Sequence, residues 1–171
     1  MKKIYILGSV ASGKTTLAKK LSQKFDIPYY ELDSIIFDDT KIIDKRRTPE
    51  EQQSIITKIN TQQTWIIEGT YRKSCHIVLD LADTIIWLDP PLFLRKIRIL
   101  TRFIKQKLHI EKCNYKSNYS MLKKMYQWTN DFESKRDELN DILKSYKEKL
   151  VVLKNNNDVK KFIKSCSKKN S

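Results

Sequence analysis

The sequence predicts a three-layer α/β domain built on a parallel sheet of five strands. Five short runs of apolar, β-branched and aromatic residues recur along the chain, and most of them lack the polar alternation of a half-exposed strand. Helical patterns separate these runs, which is the order of elements expected for a parallel sheet. A length of 171 residues with 40% hydrophobic content suits a single domain with its own core.

The first strand and the helix after it are the clearest of these elements. Residues 14–25 bring Leu17 and Leu21 onto one helical face, and the break at residues 26–28 ends the helix before a proline. The five runs place the strands at residues 3–7, 29–32, 65–68, 84–88 and 150–153.

A second helix begins with an explicit capping signal. Thr48-Pro49-Glu50-Glu51 is a capping box with proline at the first helical position, and it opens a helix that runs to Asn60. Further helices are predicted over residues 92–108, 117–128 and 132–146. This long helical stretch exceeds a simple crossover and should project from the sheet.

The net charge of +14 is concentrated in one part of the chain. Residues 1–91 carry 13 basic and 12 acidic side chains, whereas residues 92–171 carry 21 and 8. Within the second half, residues 92–130 hold ten basic side chains and a single acidic one. Such a stretch either faces an anionic ligand or is a solvated helix surface.

The cysteine count favours a reducing compartment. Three cysteines, widely separated along the chain, suit neither a disulfide framework nor a close-spaced zinc site. The start of the chain turns polar too soon for a signal peptide, and no apolar run approaches the roughly 18 residues of a membrane helix. We therefore expect a cytoplasmic protein without a membrane contact.

A phosphate-binding motif follows the first strand directly. Residues 8–15, Gly-Ser-Val-Ala-Ser-Gly-Lys-Thr, match G-x-x-x-x-G-K-[ST], the P-loop, and a helix follows. The two glycines let the loop turn its N–H groups around a phosphate. Lys14 would reach the β and γ phosphates, and Thr15 would offer a hydroxyl to Mg²⁺. The guanine-reading N-K-x-D motif is absent and the chain is short for a transport ATPase, which favours a small ATP-dependent phosphotransferase.

An acidic residue ends the third predicted strand, in Trp65-Ile66-Ile67-Glu68-Gly69. A carboxylate that leaves the sheet beside the P-loop can orient the water shell of Mg²⁺, and Arg72, four residues later, could hold a phosphate or another anion. The alternative is that Glu68 is merely solvated at a strand end.

The order of motifs resembles the adenylate kinase superfamily. Its third strand ends in D-G-F-P-R, where this chain has Glu-Gly-Thr-Tyr-Arg at residues 68–72. After its fourth strand it carries D-x-P and then a helix with R-x-x-x-R, and this chain has Asp-Pro-Pro at 89–91 followed by arginines at 98 and 102. The resemblance implies an adenylate-kinase-like fold with a lid.

A closer resemblance, over nearly the whole chain, is to bacterial DNA topology modulation proteins of the FlaR type. The residues that carry it are 29–33, 65–69, 102–108 and 151–155. This resemblance also implies ATP binding, but the name of that family reflects a cellular effect and does not describe a reaction.

Three arginines recur along the helix predicted at residues 92–108. Arg95, Arg98 and Arg102 share one face and could close over the transferring phosphoryl group. By the resemblance, Arg98 and Arg102 are the arginines at the base of the lid, with Arg102 near the nucleotide. The alternative is a solvated basic face.

The acceptor is expected between the second and third strands. Asp33 occupies the strand end where related kinases place an acid that binds the acceptor hydroxyl, where it could position the nucleophile or act as general base; a helix-cap role is the alternative. Arg46 and Arg47 could clamp an anionic acceptor, or belong to a solvated loop. The region does not match the pattern by which adenylate kinases bind adenosine monophosphate.

These interpretations combine into one expected enzyme, an ATP-binding kinase that transfers the γ-phosphoryl group to a small acceptor and uses Mg²⁺. It is expected to form a single domain over residues 1–171, with an acceptor-side insertion at about 33–62 and a helical lid at about 92–147. The residues expected to act in catalysis are Lys14, Arg98, Arg102 and Asp33. The residues expected to bind the nucleotide are Gly8, Ser9, Val10, Ala11, Ser12, Gly13, Lys14, Thr15, Thr16, Arg102 and Asn156. The acceptor is expected to contact Asp33, Arg47, Glu68 and Arg72, and Thr15 and Glu68 are expected to hold Mg²⁺, Glu68 through water.

A second hypothesis belongs to a different class, an ATP-regulated DNA-binding protein that affects DNA topology. It uses the basic second half of the chain, with Tyr115, Tyr119, Tyr126 and Trp128 as stacking residues. Aromatic residues at such spacing are more often helix core positions than stacking residues.

Overall fold

The computed structural model describes residues 2–38, 45–108, 110 and 119–168, in which strands and helices alternate. The strands are β1 (Lys3–Gly8), β2 (Tyr29–Glu31), β3 (Phe37–Asp38), β4 (Lys45–Arg46), β5 (Trp65–Gly69), β6 (Thr84–Leu88) and β7 (Leu150–Leu153). The helices are α1 (Lys14–Phe25), α2 (Leu32–Ile36), α3 (Pro49–Asn60), α4 (Ile77–Leu81), α5 (Leu92–Lys107), α6 (Tyr119–Ser134), α7 (Arg136–Lys144) and α8 (Asn156–Lys168).

The five predicted strands form one parallel sheet, in the order β2-β5-β1-β6-β7. The central strand β1 pairs with β5 on one side and with β6 on the other, so that Ile6 lies opposite both Glu68 and Ile86. Leu7 in turn lies opposite Gly69. This register brings the loop after β1 next to the acidic end of β5, as the phosphate-site prediction requires.

Helices cover both faces of the sheet, because the side chains of β1 alternate between two cores. Ile4 and Ile6 pack with Leu21 of α1 on one face. Tyr5 and Leu7 belong to the other core, which includes side chains of α2, α3, α4 and α7. The predicted three-layer α/β architecture with its five-stranded parallel sheet is confirmed.

The predicted boundary between the sixth and seventh helices is wrong. The sequence predicted a break at residues 129–131, but α6 continues to Ser134, and the break comes at Lys135. Thr129 is fully buried, and its hydroxyl donates to the carbonyl of Met125 one turn earlier at 2.8 Å. The hydroxyl is thereby satisfied inside the helix instead of ending it.

The strand predicted at residues 29–32 is one residue shorter, since Leu32 already begins α2. A two-residue antiparallel pair, β3 with β4, then precedes the capped helix α3. The capping box is formed as predicted: the side chain of Thr48 accepts from the Glu51 N–H, and the Glu51 carboxylate accepts from the Thr48 N–H.

The polar run after β7 begins a helix. The side-chain oxygen of Asn155 accepts from the N–H groups of Asn157 and Asp158, and the Asp158 carboxylate accepts from the N–H groups of Lys154 and Asn155. These bonds cap α8, whose start therefore has a defined position beside the sheet. Among the described residues, no helix combines the length and apolar character that a membrane crossing requires.

Candidate active site

The loop after β1 has the backbone that a phosphate cradle needs. Gly13 adopts a φ of +103° directly before α1, a conformation that favours glycine. At Gly8, an added Cβ would lie 2.5 Å from the carbonyl oxygen of Leu88, because β1 and β6 approach closely there. Within the described residues no side chain caps the start of α1, so its first N–H groups face the loop interior with the positive end of the helix dipole.

Lys14 bends back across the loop. Its ammonium group donates to the carbonyl oxygen of Ser9 at 2.8 Å. Burial lowers the pKa of the Lys14 amine from its ordinary value, whereas the nearby carboxylates of Glu68 and Asp33 act in the opposite direction. The charge of Lys14 is thus held inside the loop, at the place where phosphate oxygens would collect.

A hydroxyl and a carboxylate meet at the floor of the loop. The Thr15 hydroxyl donates to Oε1 of Glu68 at 2.5 Å, and Glu68 is only 5% exposed. Burial raises the pKa of the Glu68 carboxyl, while Lys14 and the hydrogen bond from Thr15 oppose that shift. The buried position of Glu68 removes the alternative of a merely solvated strand end.

The side-chain oxygens of Thr15 and Glu68 are ligands of the kind that a hard cation such as Mg²⁺ prefers. Mg²⁺ is usually held by one or two side-chain oxygens together with waters and substrate phosphates. Over the described part of the chain, no cluster of three or more His, Cys, Asp and Glu residues could hold a metal by itself. Thr15 and Glu68 supply two side-chain oxygens, and a hydrated Mg²⁺ needs no more than this from a protein.

The three arginines of α5 all face the phosphate loop, as a common face predicts, but their burial and their partners differ. Arg98 donates from Nη1 to the carbonyl oxygens of Ala11 at 3.3 Å and Ser12 at 3.1 Å, both in the phosphate loop. Arg102 is exposed and lines the same side of the loop.

Arg95 is buried, with only 1% of its surface exposed. It donates to the Ser9 hydroxyl at 2.7 Å, to the Pro90 carbonyl at 3.0 Å and to the Glu133 carboxylate at 2.5 Å. Arg95 thus ties the phosphate loop to α6. This function was not predicted, because its partner Glu133 lies 38 residues away and the spacing of arginines carries no sign of it.

A cavity of about 390 Å³ opens between the phosphate loop, α1, α5 and the start of α8. Of the residues expected to contact the nucleotide, six line it: Ala11, Ser12, Gly13, Thr16, Arg102 and Asn156. Lys20 and Lys105 add positive charge at its wall. The volume and the charge suit part of an anionic nucleotide.

A larger cavity of about 1070 Å³ opens on the other side of the same loop. Ser9 and Val10 form its wall toward the phosphate site. It also contains Asp33 and Arg72, whose carboxylate and guanidinium are 3.2 Å apart. Further polar and charged side chains, Arg46, Thr70, Lys73, Ser74, Asp131, Lys135 and Glu138, share the lining with Trp128, Phe132 and other apolar side chains.

Arg47 lies apart from both cavities. Its Nη1 donates to the carbonyl oxygens of Ser34, Ile35 and Phe37 at 2.6–3.1 Å, and its Nη2 pairs with Asp38 at 3.3 Å. These bonds satisfy the end of α2. Its neighbour Arg46 lines the large cavity instead.

The aromatic residues of the DNA-binding hypothesis do not form one surface. Trp128 lines the large cavity, and the Tyr126 hydroxyl donates to the carbonyl of Lys96 at 3.2 Å. The Tyr119 ring contacts Phe103 with centroids 5.3 Å apart. Tyr115 lies outside the described residues.

Comparison with known structures places this geometry in a fold group. A shikimate kinase from Acinetobacter baumannii in complex with shikimate has 15% identity and a TM-score of 0.59, over 99% of this chain and 94% of that chain. A gluconokinase from Sinorhizobium meliloti 1021 has 14% identity and a TM-score of 0.52, over 90% and 82%. The chain has the shikimate-kinase-like P-loop fold.

A second shikimate kinase structure and one family model also match the chain. A shikimate kinase from Bacteroides thetaiotaomicron has 12% identity and a TM-score of 0.52, over 96% of this chain and 95% of that chain. The family model described as ethanolamine utilisation - propanediol utilisation (PduV-EutP) matches residues 1–64, the part that contains the phosphate loop. No curated protein is significantly similar in sequence.

Proposed function

We propose that this protein is a phosphotransferase that moves the γ-phosphoryl group of ATP to a hydroxyl group of a small anionic acceptor. The observation that supports the proposal is the position of the phosphate loop between two cavities: Ser9 and Val10 line the larger one, and Ala11, Ser12 and Gly13 line the smaller one. A donor bound on one side and an acceptor bound on the other would meet at this loop. Such positioning supplies much of the catalysis in phosphoryl transfer.

On the donor side, the loop N–H groups and Lys14 bind the β and γ phosphates, and Arg98 and Arg102 approach from α5. Arg98 already reaches the loop carbonyls of Ala11 and Ser12, so a small change of rotamer brings its guanidinium to the phosphates. Positive charge in this position offsets the charge that develops on the transferring group.

Thr15 and Glu68 are the residues that would hold Mg²⁺, Glu68 through its water shell. When bound, this cation neutralises phosphate charge and orients the γ-phosphoryl group. Glu68 is kept in place by the Thr15 hydroxyl, and the neighbouring charge of Lys14 favours its ionised form. An ionised Glu68 is the form that can order a cation and its waters.

On the acceptor side, Asp33 binds the hydroxyl that attacks. Its carboxylate is held by Arg72 through one oxygen and is 68% exposed, so the second oxygen is accessible from the cavity. Accepting the hydroxyl hydrogen bond positions the nucleophile and provides a general base. We assign the anion of the acceptor to Arg46 and Arg72, and Arg47 to the support of α2.

The lining of the acceptor cavity favours a polar molecule with an apolar face. Its lining combines cationic side chains, among them Arg46 and Arg72, with Trp128 and Phe132 of α6. Helix α5 borders the smaller cavity, and α6 and α7 border the larger one, so these helices would form the lid, at about residues 92–147. The resemblance at residues 29–33, 65–69, 102–108 and 151–155 supports membership of the FlaR type, and the odd, widely spaced cysteines support a cytoplasmic location.

The proposal is tested by ADP release. Purified protein with ATP and Mg²⁺ is screened against hydroxylated carboxylates, sugar phosphates, nucleosides and nucleotides. Acceptor-dependent release that is lost in Lys14→Met and retained in the control Lys19→Met supports the proposal. Equal turnover by wild type and Lys14→Met would contradict it.

A further inference from the structure

An apolar stripe runs along the outer face of α5. Its members are Phe93, Ile97, Leu100, Ile104 and Leu108, whose side chains are between 44% and 63% exposed. They lie on the side of the helix away from Arg98, which faces the phosphate loop. Single exposed apolar residues need no explanation, but a continuous row along four turns indicates a contact surface.

The outer four members of the stripe are placed symmetrically about the midpoint between Leu100 and Thr101. The intervals are four, three and four residues and then four again, which is the pattern of helices that pack at about 20°. If a second α5 lies antiparallel across the midpoint between Leu100 and Thr101, Phe93 faces Leu108 of the second copy and Ile97 faces Ile104 of the second copy. A two-fold axis requires this kind of self-complementary surface.

The apolar area of the stripe is also large enough for a dimer interface. Half-exposed side chains of this size each contribute roughly 100 Å², so two copies of the stripe would bury about 1000 Å², the lower limit for a specific interface. Thr101 and the aliphatic stems of the flanking lysines extend the contact beyond that value.

The basic residues that flank the stripe make the proposed contact dependent on salt concentration. The sequence of α5, LFLRKIRILTRFIKQK, has no acidic residue. In the antiparallel arrangement Lys96 approaches Lys107 of the second copy, since these positions lie on the same flank of the stripe. This repulsion weakens the contact at low salt and is screened at high salt.

We propose that the outer face of α5 binds the same face of a second copy, forming an antiparallel two-fold dimer. The nucleotide side of α5 stays accessible, because Arg98 and Arg102 point away from the interface. The dimer is independent of the phosphotransferase proposal, since it uses none of the residues assigned to phosphate or acceptor.

Sedimentation velocity tests the dimer. A concentration-dependent dimer is expected, with a dissociation constant at least twofold lower in 500 mM than in 50 mM NaCl. The double variant Ile97→Gln/Ile104→Gln should be monomeric at tenfold higher concentration, and Val152→Gln, another exposed apolar position, should behave as wild type. A monomeric wild type, or a dimer that survives the double substitution, overturns the proposal.

Disulfide trapping tests the geometry in a Cys113→Ser/Cys166→Ser background, which keeps the buried Cys75. Leu100→Cys should cross-link to itself, because the two positions are offset by only about 1.5 Å along the axis. Ile97→Cys should cross-link to Ile104→Cys in a mixture and not to itself. Self-linking of Ile97→Cys would contradict the antiparallel register. If the wild type is monomeric and sediments with anionic phosphatidylglycerol vesicles, the stripe is a membrane contact and the dimer is rejected.

Discussion

Replacing Arg95 by methionine should destabilise the fold, whereas the same change at Arg98 should leave stability nearly unaltered. Arg95 is 1% exposed and makes three hydrogen bonds, one of them to the Glu133 carboxylate. Each bond to a charged group contributes about 1.5–3 kcal/mol, and each polar group left unsatisfied costs about 1–3 kcal/mol. Removing the buried guanidinium also removes its desolvation cost, and Glu133 keeps a contact to Arg136.

The net expectation for Arg95→Met is a loss of about 3 kcal/mol in the free energy of unfolding. Arg98 is only half-buried, and its two bonds to backbone carbonyls are long, at 3.1 and 3.3 Å, so Arg98→Met should cost less than about 1 kcal/mol. Lys96→Met on the same helix serves as a control and should change stability by no more than about 0.5 kcal/mol.

Urea denaturation followed by tryptophan fluorescence measures these differences, and ATP titration of the same samples separates stability from binding. Arg98→Met should reduce the free energy of ATP binding by more than it reduces the free energy of unfolding. Arg95→Met should reduce the free energy of unfolding by more than it reduces the free energy of ATP binding. Equal stability of Arg95→Met and Lys96→Met would refute the reasoning, because it would mean that the link between the phosphate loop and α6 contributes nothing to folding.

Three further outcomes are expected. Lys14→Met should lower the ATP-dependent rate at least about a hundredfold without lowering the urea midpoint, because it removes charge at the phosphates and a desolvated ammonium group from the loop. A rate within threefold of wild type would refute the assignment. Asp33→Asn should reduce phosphotransfer while ATP affinity stays within about twofold of wild type, and loss of ATP binding would place Asp33 on the wrong side of the loop. Glu68→Gln should stabilise the ligand-free fold at pH 7 but lower phosphotransfer. Burial raises the pKa of the Glu68 carboxyl in the folded state, so the folded protein holds the proton more tightly than the unfolded chain does. The protonated carboxyl therefore does not destabilise the fold below the ordinary carboxyl pKa, whereas ionisation of Glu68 at higher pH lowers the free energy of unfolding. The urea midpoint of Glu68→Gln should therefore lie above that of the wild type at pH 7, and the two midpoints should converge near pH 4. A wild type that is more stable than Glu68→Gln at pH 7 would contradict the explanation that burial of the charged carboxylate destabilises the fold.

The sequence predicted the parts of the fold that depend on local pattern. Five apolar runs, the capping box at Thr48 and the phosphate motif each lie within a few neighbouring residues, and each appears in the structure where it was expected. The position of Glu68 beside Thr15 also follows from the order of strands, because parallel neighbours end at the same edge of the sheet.

Features that depend on residues far apart in the sequence could not be predicted from local sequence patterns. Arg95, Arg98 and Arg102 look equivalent on a helical pattern, and only the arrival of Glu133 from α6 separates the buried arginine from the other two. Arg46 and Arg47 are adjacent, yet Arg47 turns to the carbonyls at the end of α2 while Arg46 faces the cavity. The continuation of α6 through Thr129 accompanies the burial of that side chain, which no local signal reveals.

The most direct test of the central claim is transfer of phosphate itself. Wild-type protein is incubated with γ-labelled ATP, Mg²⁺ and the acceptors that pass the ADP-release screen, and the label is followed into product. The account predicts label in an acceptor ester, formed by the wild type and by the control Lys19→Met but not by Lys14→Met or Asp33→Asn. Label that appears only as inorganic phosphate, with no acceptor ester from any hydroxyl compound, would show that the two cavities do not serve donor and acceptor.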